Sequence, residues 1–328
     1  MCQGLLARVR RRYGRTVETP QHLLTPREVG TTGVRTFPVA FDGSVLGWVT
    51  GMEIADDVLG RYADSGGSLI STAGHYAGGR SEMMIGSWLA KRDRSSMLIA
   101  TRVGRHPDDP GLGRRAIERA LESSLERLRT DYVDFLAVDG EMLPDDPTEV
   151  LETVADFVRA GSVRFFSAVY CEASQVRRLI EVADGRGLPR PSAVANEYNL
   201  IVRRAAETEM LPLAAEQGLG FFARLPLASG YLTGRIQSAD DLPENALFDG
   251  ALQHIGRRGS RVLAALQKVA SEQGASPDVI ALAWLLSKPG VSAAVVRMWD
   301  LGALQIGFGG SEVALTRHQI AELDAASA

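Results

Sequence analysis

A chain of 328 residues, 45% hydrophobic and with a formal net charge of −4, has ample material for a large core. Nothing global draws it to nucleic acid or to a membrane surface. Its two cysteines, Cys2 and Cys171, rule out a disulfide framework and fit a reducing compartment, so a cytoplasmic location is expected. CxxC and HExxH spacings are absent, which argues against a dedicated zinc site, and no apolar run approaches the roughly 20 residues that span a bilayer.

Residues 1–26 read as a basic extension, with Leu5, Leu6 and Val9 set among Arg8, Arg10, Arg11, Arg12 and Arg15. A signal peptide would place an apolar core after its charges, whereas Thr16, Val17, Glu18 and Thr19 follow Arg15. The segment is either an arm that touches a partner or a loosely docked extension.

From Arg27 short apolar runs alternate with longer amphipathic stretches. The runs are Arg35–Phe41, Ser68–Ala73, Met97–Val103, Val133–Val138, Val163–Val169, Ser192–Glu197, Gly218–Arg224 and Val291–Arg297. Eight such runs with helical pattern between them predict a parallel barrel over residues 27–328, a single domain of the α/β (β/α)8 TIM-barrel class. Over Arg114–Arg129, Ile117, Leu121, Leu125 and Leu128 fall on one helical face. Pro147, Thr148 and Glu149 open the next helix and Gly161 closes it, and Ser276, Pro277 and Asp278 cap the helix that carries Ala281–Leu286. The long irregular connection Ala228–Gly259 is expected over the barrel mouth.

Six segments, in order, resemble the aldo-keto reductase family. Ser71-Thr72-Ala73-Gly74-His75-Tyr76-Ala77-Gly78-Gly79-Arg80-Ser81-Glu82 is similar to its DTAxxYGxGxSE segment, and Thr101-Arg102-Val103-Gly104 stands where the family has TKVG. Residues 131–136 resemble the strand that leads to its histidine. Asn196-Glu197-Tyr198-Asn199-Leu200, residues 226–234 and residues 281–286 are the remaining matches.

The resemblance implies hydride transfer from a nicotinamide to a carbonyl, with a tyrosine as proton donor tuned by an aspartate, a lysine and a histidine. Here the tyrosine is Tyr76, but Ser71, Arg102 and Asp139 stand at the other three positions. Arginine remains charged and presents a planar fork, so it stabilises an anion but does not relay a proton as lysine can. Val169 and Tyr170 replace the Ser-Asn pair that holds the carboxamide, Ala195 the glutamine, and Arg224 the aromatic that stacks on the nicotinamide. Val296, Arg297 and Met298 fall at the turn that approaches the phosphates, and Gly307 at the downstream asparagine. No cofactor-binding residue is therefore expected, and NADPH only if the ordinary reductase reading holds.

Neutral Ser71, positive Arg102 and negative Asp139 sum to zero, as the family's Asp, Lys and neutral His do, which favours a rebuilt pocket over simple decay. A plain ion pair between Arg102 and Asp139 is the structural alternative. The catalytic candidates are Tyr76, Asp139 and Arg102, with Ser71, His75, Tyr170 and Arg224 as substrate-binding candidates; no metal ligand is expected. Glu141, His106 and the Gly307-Phe308-Gly309-Gly310 cluster are weaker candidates.

The leading expectation is cofactor-independent acid–base chemistry on a small organic molecule, such as dehydration, isomerisation or cyclisation. The alternatives are an NADPH-dependent carbonyl reductase using Tyr76 and a non-catalytic binding or scaffold barrel. A small-molecule substrate is the expected partner, with neither nucleic acid nor membrane, and a homodimer is left open.

Overall fold

Eight parallel strands close into a barrel in a computed structural model that describes residues 25–242 and 248–328. Most of the expected basic extension, residues 1–24, lies outside the described residues. The strands are β1 (Val39–Asp42), β2 (Leu69–Ala73), β3 (Leu98–Val103), β4 (Val133–Asp139), β5 (Val163–Val169), β6 (Ala193–Glu197), β7 (Gly220–Arg224) and β8 (Val291–Val296). Each pairs with its sequence neighbours, and β8 pairs with β1 to close the ring. Both faces of such a strand are covered, which is why each reads as a nearly continuous apolar run.

The helices α1 (Met52–Asp64), α2 (Arg80–Leu89), α3 (Arg114–Leu128), α4 (Thr148–Ala160), α5 (Ala173–Arg186), α6 (Leu211–Gln217), α7 (Arg257–Gln273), α8 (Pro277–Leu286), α9 (Leu301–Glu312) and α10 (Arg317–Ser327) lie between and after the strands. In α3, Ile117, Leu121 and Leu128 are buried with Ala120 and Ser124, as the helical period dictates. Helix α4 stops at Gly161, which takes the left-handed conformation at φ 81°. The Gly307–Gly310 cluster sits inside α9, where Gly310 lies close to Leu282 of α8.

The first predicted strand is corrected. Arg35–Thr36 pairs antiparallel with Arg27–Glu28 in a separate hairpin, and the barrel strand begins at Val39. Pro38 lies between the two; without an N–H and with φ fixed, it interrupts the ladder there. The hairpin closes the floor of the barrel, where Val29 is fully buried among the inward residues. Gly30 is needed at its turn: φ is 55°, and a Cβ would lie 2.3 Å from the Gly218 carbonyl oxygen.

Strand alternation separates two cores. Residues facing outward pack against the helices, while Ala40, Leu69, Leu98, Ala100, Phe135, Ala137, Val169, Ala193, Ala195, Phe222, Ala293 and Val295 fill the lumen. Phe135 stacks on Phe165 at 5.4 Å and meets Phe222 edge-on at 5.8 Å. Above this aromatic level the lumen residues are mostly small, and above those the strands end in charge. The connection after β7 forms 3-10 turns at Ala228–Thr233, Ala239–Asp241 and Asp249–His254, and Phe248 packs edge-on against Trp299 beyond β8.

Candidate active site

Period-two alternation aims one residue from the upper end of each of several strands at the same space. Ala40 is followed two residues on by Asp42, Ala100 by Arg102, Ala137 by Asp139, Ala195 by Glu197 and Phe222 by Arg224. A ring of charge therefore crowns an apolar lumen at the C-terminal face, where barrels of this type carry their chemistry.

Arg102 is 9% exposed, and its Nη1 lies 3.1 Å from Asp139 Oδ2. Its Nη2 is 2.9 Å from His75 Nε2 and donates to the Tyr76 hydroxyl at 3.5 Å. Its Nε is buried with no partner. The guanidinium lies between the rings of Tyr76 and Tyr170, 5.6 and 5.4 Å from their centroids.

Arg224, 4% exposed, crosses the mouth from β7. Nε donates to the Tyr170 hydroxyl at 2.9 Å, Nη1 to Ser71 Oγ at 3.3 Å, and Nη2 to the Tyr76 hydroxyl at 3.0 Å and Asp42 Oδ2 at 3.4 Å. Burial by itself lowers the pKa of this guanidinium, but Tyr76, Tyr170 and Asp42 together carry it well above its ordinary value. It stays a cation. The Tyr76 oxygen thus accepts from two guanidinium groups, which leaves its own O–H to be aimed elsewhere.

Burial pushes the His75 pKa down to about 3, with Arg102 and Arg105 adding to the effect. At neutral pH its imidazole is uncharged and Nε2 accepts from Arg102. His75 lies edge-on to the Tyr76 ring at 4.8 Å.

All seven sequence candidates, Ser71, His75, Tyr76, Arg102, Asp139, Tyr170 and Arg224, come together through these contacts. The carboxylate of the weaker candidate Glu141 engages Arg105 and does not pair with the Asp139 carboxylate. His106 accepts at Nδ1 from the Asp108 backbone in a small ladder beyond β3.

Asp139 is fully buried, and its oxygens are heavily engaged. Oδ2 receives both Arg102 and Arg105, the latter at 2.7 Å, and Oδ1 accepts from the Glu141 backbone N–H at 3.1 Å, capping the turn Gly140–Met142. Burial lowers the Arg105 pKa, but Asp139 and Glu141 more than offset this.

Sequence reasoning missed Asp42, Arg105, Ser167 and Glu197. Asp42 is 1% exposed, pairs with Arg224 and lies 4.0 Å from Arg297 Nε. Its signal was available, as an inward-phased aspartate ending an apolar run at Gly43. Glu197 stands in register with Arg224, accepts from Asn199 Nδ2 at 3.1 Å, and has its pKa raised by burial.

Beneath the arginines is a cavity of about 20 Å³, room for roughly one water molecule. Its polar wall is Ser71, Thr72, Tyr76, Arg102, Ser167 and Arg224; Leu69, Ala100, Ala137, Val169, Ala195, Phe222 and Val295 complete it. Asp139 and His75 do not line it.

Backbone strain concentrates at this face. Among the described residues, Ala77, Tyr170, Leu225, Ala228 and Ser229 take positive φ without being glycine, all in connections at the mouth; Arg129, the remaining case, ends α3. Such conformations persist where surrounding structure holds them and are common at functional sites. Cys171, next to Tyr170, is buried with its thiol pKa pushed up to about 12, so it is an inert thiol. Among the described residues no three His, Cys, Asp or Glu side chains are grouped to hold a metal ion, and no helix is long and apolar enough to cross a membrane.

Residues 44–328 match the family model described as "Aldo/keto reductase family". A protein of Oryza sativa subsp. japonica named "Probable voltage-gated potassium channel subunit beta" is 32% identical over 292 residues, covering 82% of this chain and 85% of its own length. One of Arabidopsis thaliana with the same name is 30% identical over 290 residues, with the same coverage of both chains.

Proposed function

The chain belongs to the aldo/keto reductase family, and on that premise we propose that it is an enzyme performing proton-transfer chemistry on a small carbonyl compound without a nicotinamide. One observation carries the reading: Arg102 and Arg224 converge on the hydroxyl of Tyr76 at a small cavity that all three help to line. Tyr76 exchanges the proton. The two guanidiniums stabilise negative charge as it develops on the substrate oxygen, as fixed donors do in an oxyanion site. Asp139 positions Arg102 and Arg105, since Oδ2 is shared between them and the carboxylate is not on the cavity wall. Dehydration, isomerisation and ring closure all begin with a step of this kind.

The residues present do not fit the nicotinamide that the family implies. Val169 and Ala195 offer apolar side chains to the cavity where carboxamide partners would be needed. Arg224 spans the mouth from β7 to Asp42 and Ser71, so a charged, fully engaged side chain holds the place of the stacking aromatic.

The test is hydrogen–deuterium exchange by NMR at carbons adjacent to carbonyls, across a panel of small ketones and oxo acids, beside a fluorescence titration with NADPH. Wild-type protein should catalyse exchange on a subset of the panel, Tyr76→Phe should lose it by about 100-fold, and NADPH should give no saturable signal at micromolar concentration. Saturable NADPH binding with aldehyde-dependent oxidation would install the reductase reading instead. No exchange and no oxidation by the folded protein would leave a binding barrel.

A further inference from the structure

We infer that the ligand of this site is a carboxylic acid, and that its carboxylate is received between Arg102 and Arg224. The inference deepens the proton-transfer reading by naming the substrate class, and it rests on that reading only for what happens after binding.

Arg102 is nine-tenths buried, forms part of the cavity wall, and keeps its Nε–H without an acceptor while its other nitrogens are engaged. A buried N–H in a fully satisfied structure would have a partner, so this donor points to an acceptor that arrives from outside the chain. Arg224 faces it across the same space, and the two guanidiniums meet on one phenol oxygen, at 3.5 and 3.0 Å. Two cations so placed repel each other, and an anion between them turns that repulsion into two attractions.

Size and shape select the anion. The cavity beneath is about 20 Å³ and is walled by Ala100, Ala137 and Ala195. That space takes one water-sized group, which is a single carboxylate oxygen, and excludes the tetrahedral head of a phosphate. The Arg102 Nε–H is the donor left to meet that oxygen, in a charge-assisted hydrogen bond. Asp42 holds Arg224 and Asp139 holds Arg102, so both cations are fixed in place before an anion arrives.

The experiment is isothermal calorimetry on the full chain with propanoate and with propanamide, its neutral isostere, at constant ionic strength. Propanoate should bind saturably and at least tenfold more tightly than propanamide. Arg102→Lys keeps a positive charge beside Asp139 but has no Nε, and should weaken propanoate at least tenfold. Should that variant not fold, Ala137→Val narrows the cavity while keeping both guanidiniums and should have the same effect. Equal affinities for acid and amide, or undiminished propanoate binding by the folded variants, would overturn the inference. Calorimetry needs no turnover, so the two readings fail separately. Propanoate binding without proton exchange on any compound retains the carboxylate site and removes the proton-transfer reading. Exchange on neutral ketones with no preference for acids does the reverse.

Discussion

At Asp139 two guanidiniums approach one oxygen, so removing that oxygen's charge carries a cost in stability. Asp139→Asn would leave Arg102 buried beside a neutral amide, with a loss of stability of about 3 kcal/mol in urea denaturation. Arg102→Gln together with Asp139→Asn should recover part of that loss, because the double change leaves no unpaired buried charge; a strictly additive double mutant would mean that the pair is not coupled. His75 gives a separate signature in pH. Its folded pKa, about 3, lies below the unfolded value of about 6.5. The unfolded chain therefore binds more protons in between, and stability is lost as pH falls from about 6.5 towards 3 and is unaffected above that window. Replacement by Asn should flatten this part of the profile relative to wild type. Parallel profiles for the two proteins would show that His75 does not stay neutral in the fold.

Among the elements, the hairpin beneath the barrel and the connections above it are held by opposite means. The hairpin turn depends on a missing side chain. Gly30→Ala would force a Cβ against the Gly218 carbonyl at a positive φ, and a loss of about 2 kcal/mol or more is expected in thermal or urea unfolding. An unchanged midpoint would mean that the turn can move away from the β7 entrance. The connections at the mouth instead keep residues other than glycine in left-handed conformations. Tyr170, at φ 55°, is held by its backbone N–H to the Ala195 carbonyl at 3.0 Å, and its hydroxyl accepts from Arg224. The strained loop after β5 thereby places one ring against both arginines.

For the molecule as a whole, the nicotinamide-free reading proposed above rests on positions spread over strands β5 to β8, so on that reading no single reversal should rebuild a nicotinamide seat. Arg102→Lys restores the family's residue beside Tyr76, and Arg224→Trp restores an aromatic at the mouth. Neither should create saturable NADPH binding while Val169, Ala195 and the residues after β8 stay as they are. Gain of micromolar binding in either variant, read by fluorescence, would place the whole deficit at that one position.

The barrel was legible in the sequence because strands such as Val291–Val296 are buried on both faces, and burial on both faces leaves a continuous apolar signal in a linear chain. That Arg102 and Asp139 face the same space followed from strand alternation, since phase and strand end together fix where a side chain points; Tyr76 lies in the turn after β2, which strand phase does not reach. The Arg35–Phe41 run was misread because apolar character continued through Pro38 although the ladder did not. The pairing of charges was a different matter. Asp42 and Arg224 lie 182 residues apart, and only closure of the ring between β8 and β1 brings the two ends of the barrel sequence side by side. That Arg105 shares Asp139 with Arg102, and that the Arg102 Nε is left without an acceptor, depend on side-chain directions across the mouth. Sequence period determines which residues face the lumen; three-dimensional proximity decides which of them meet.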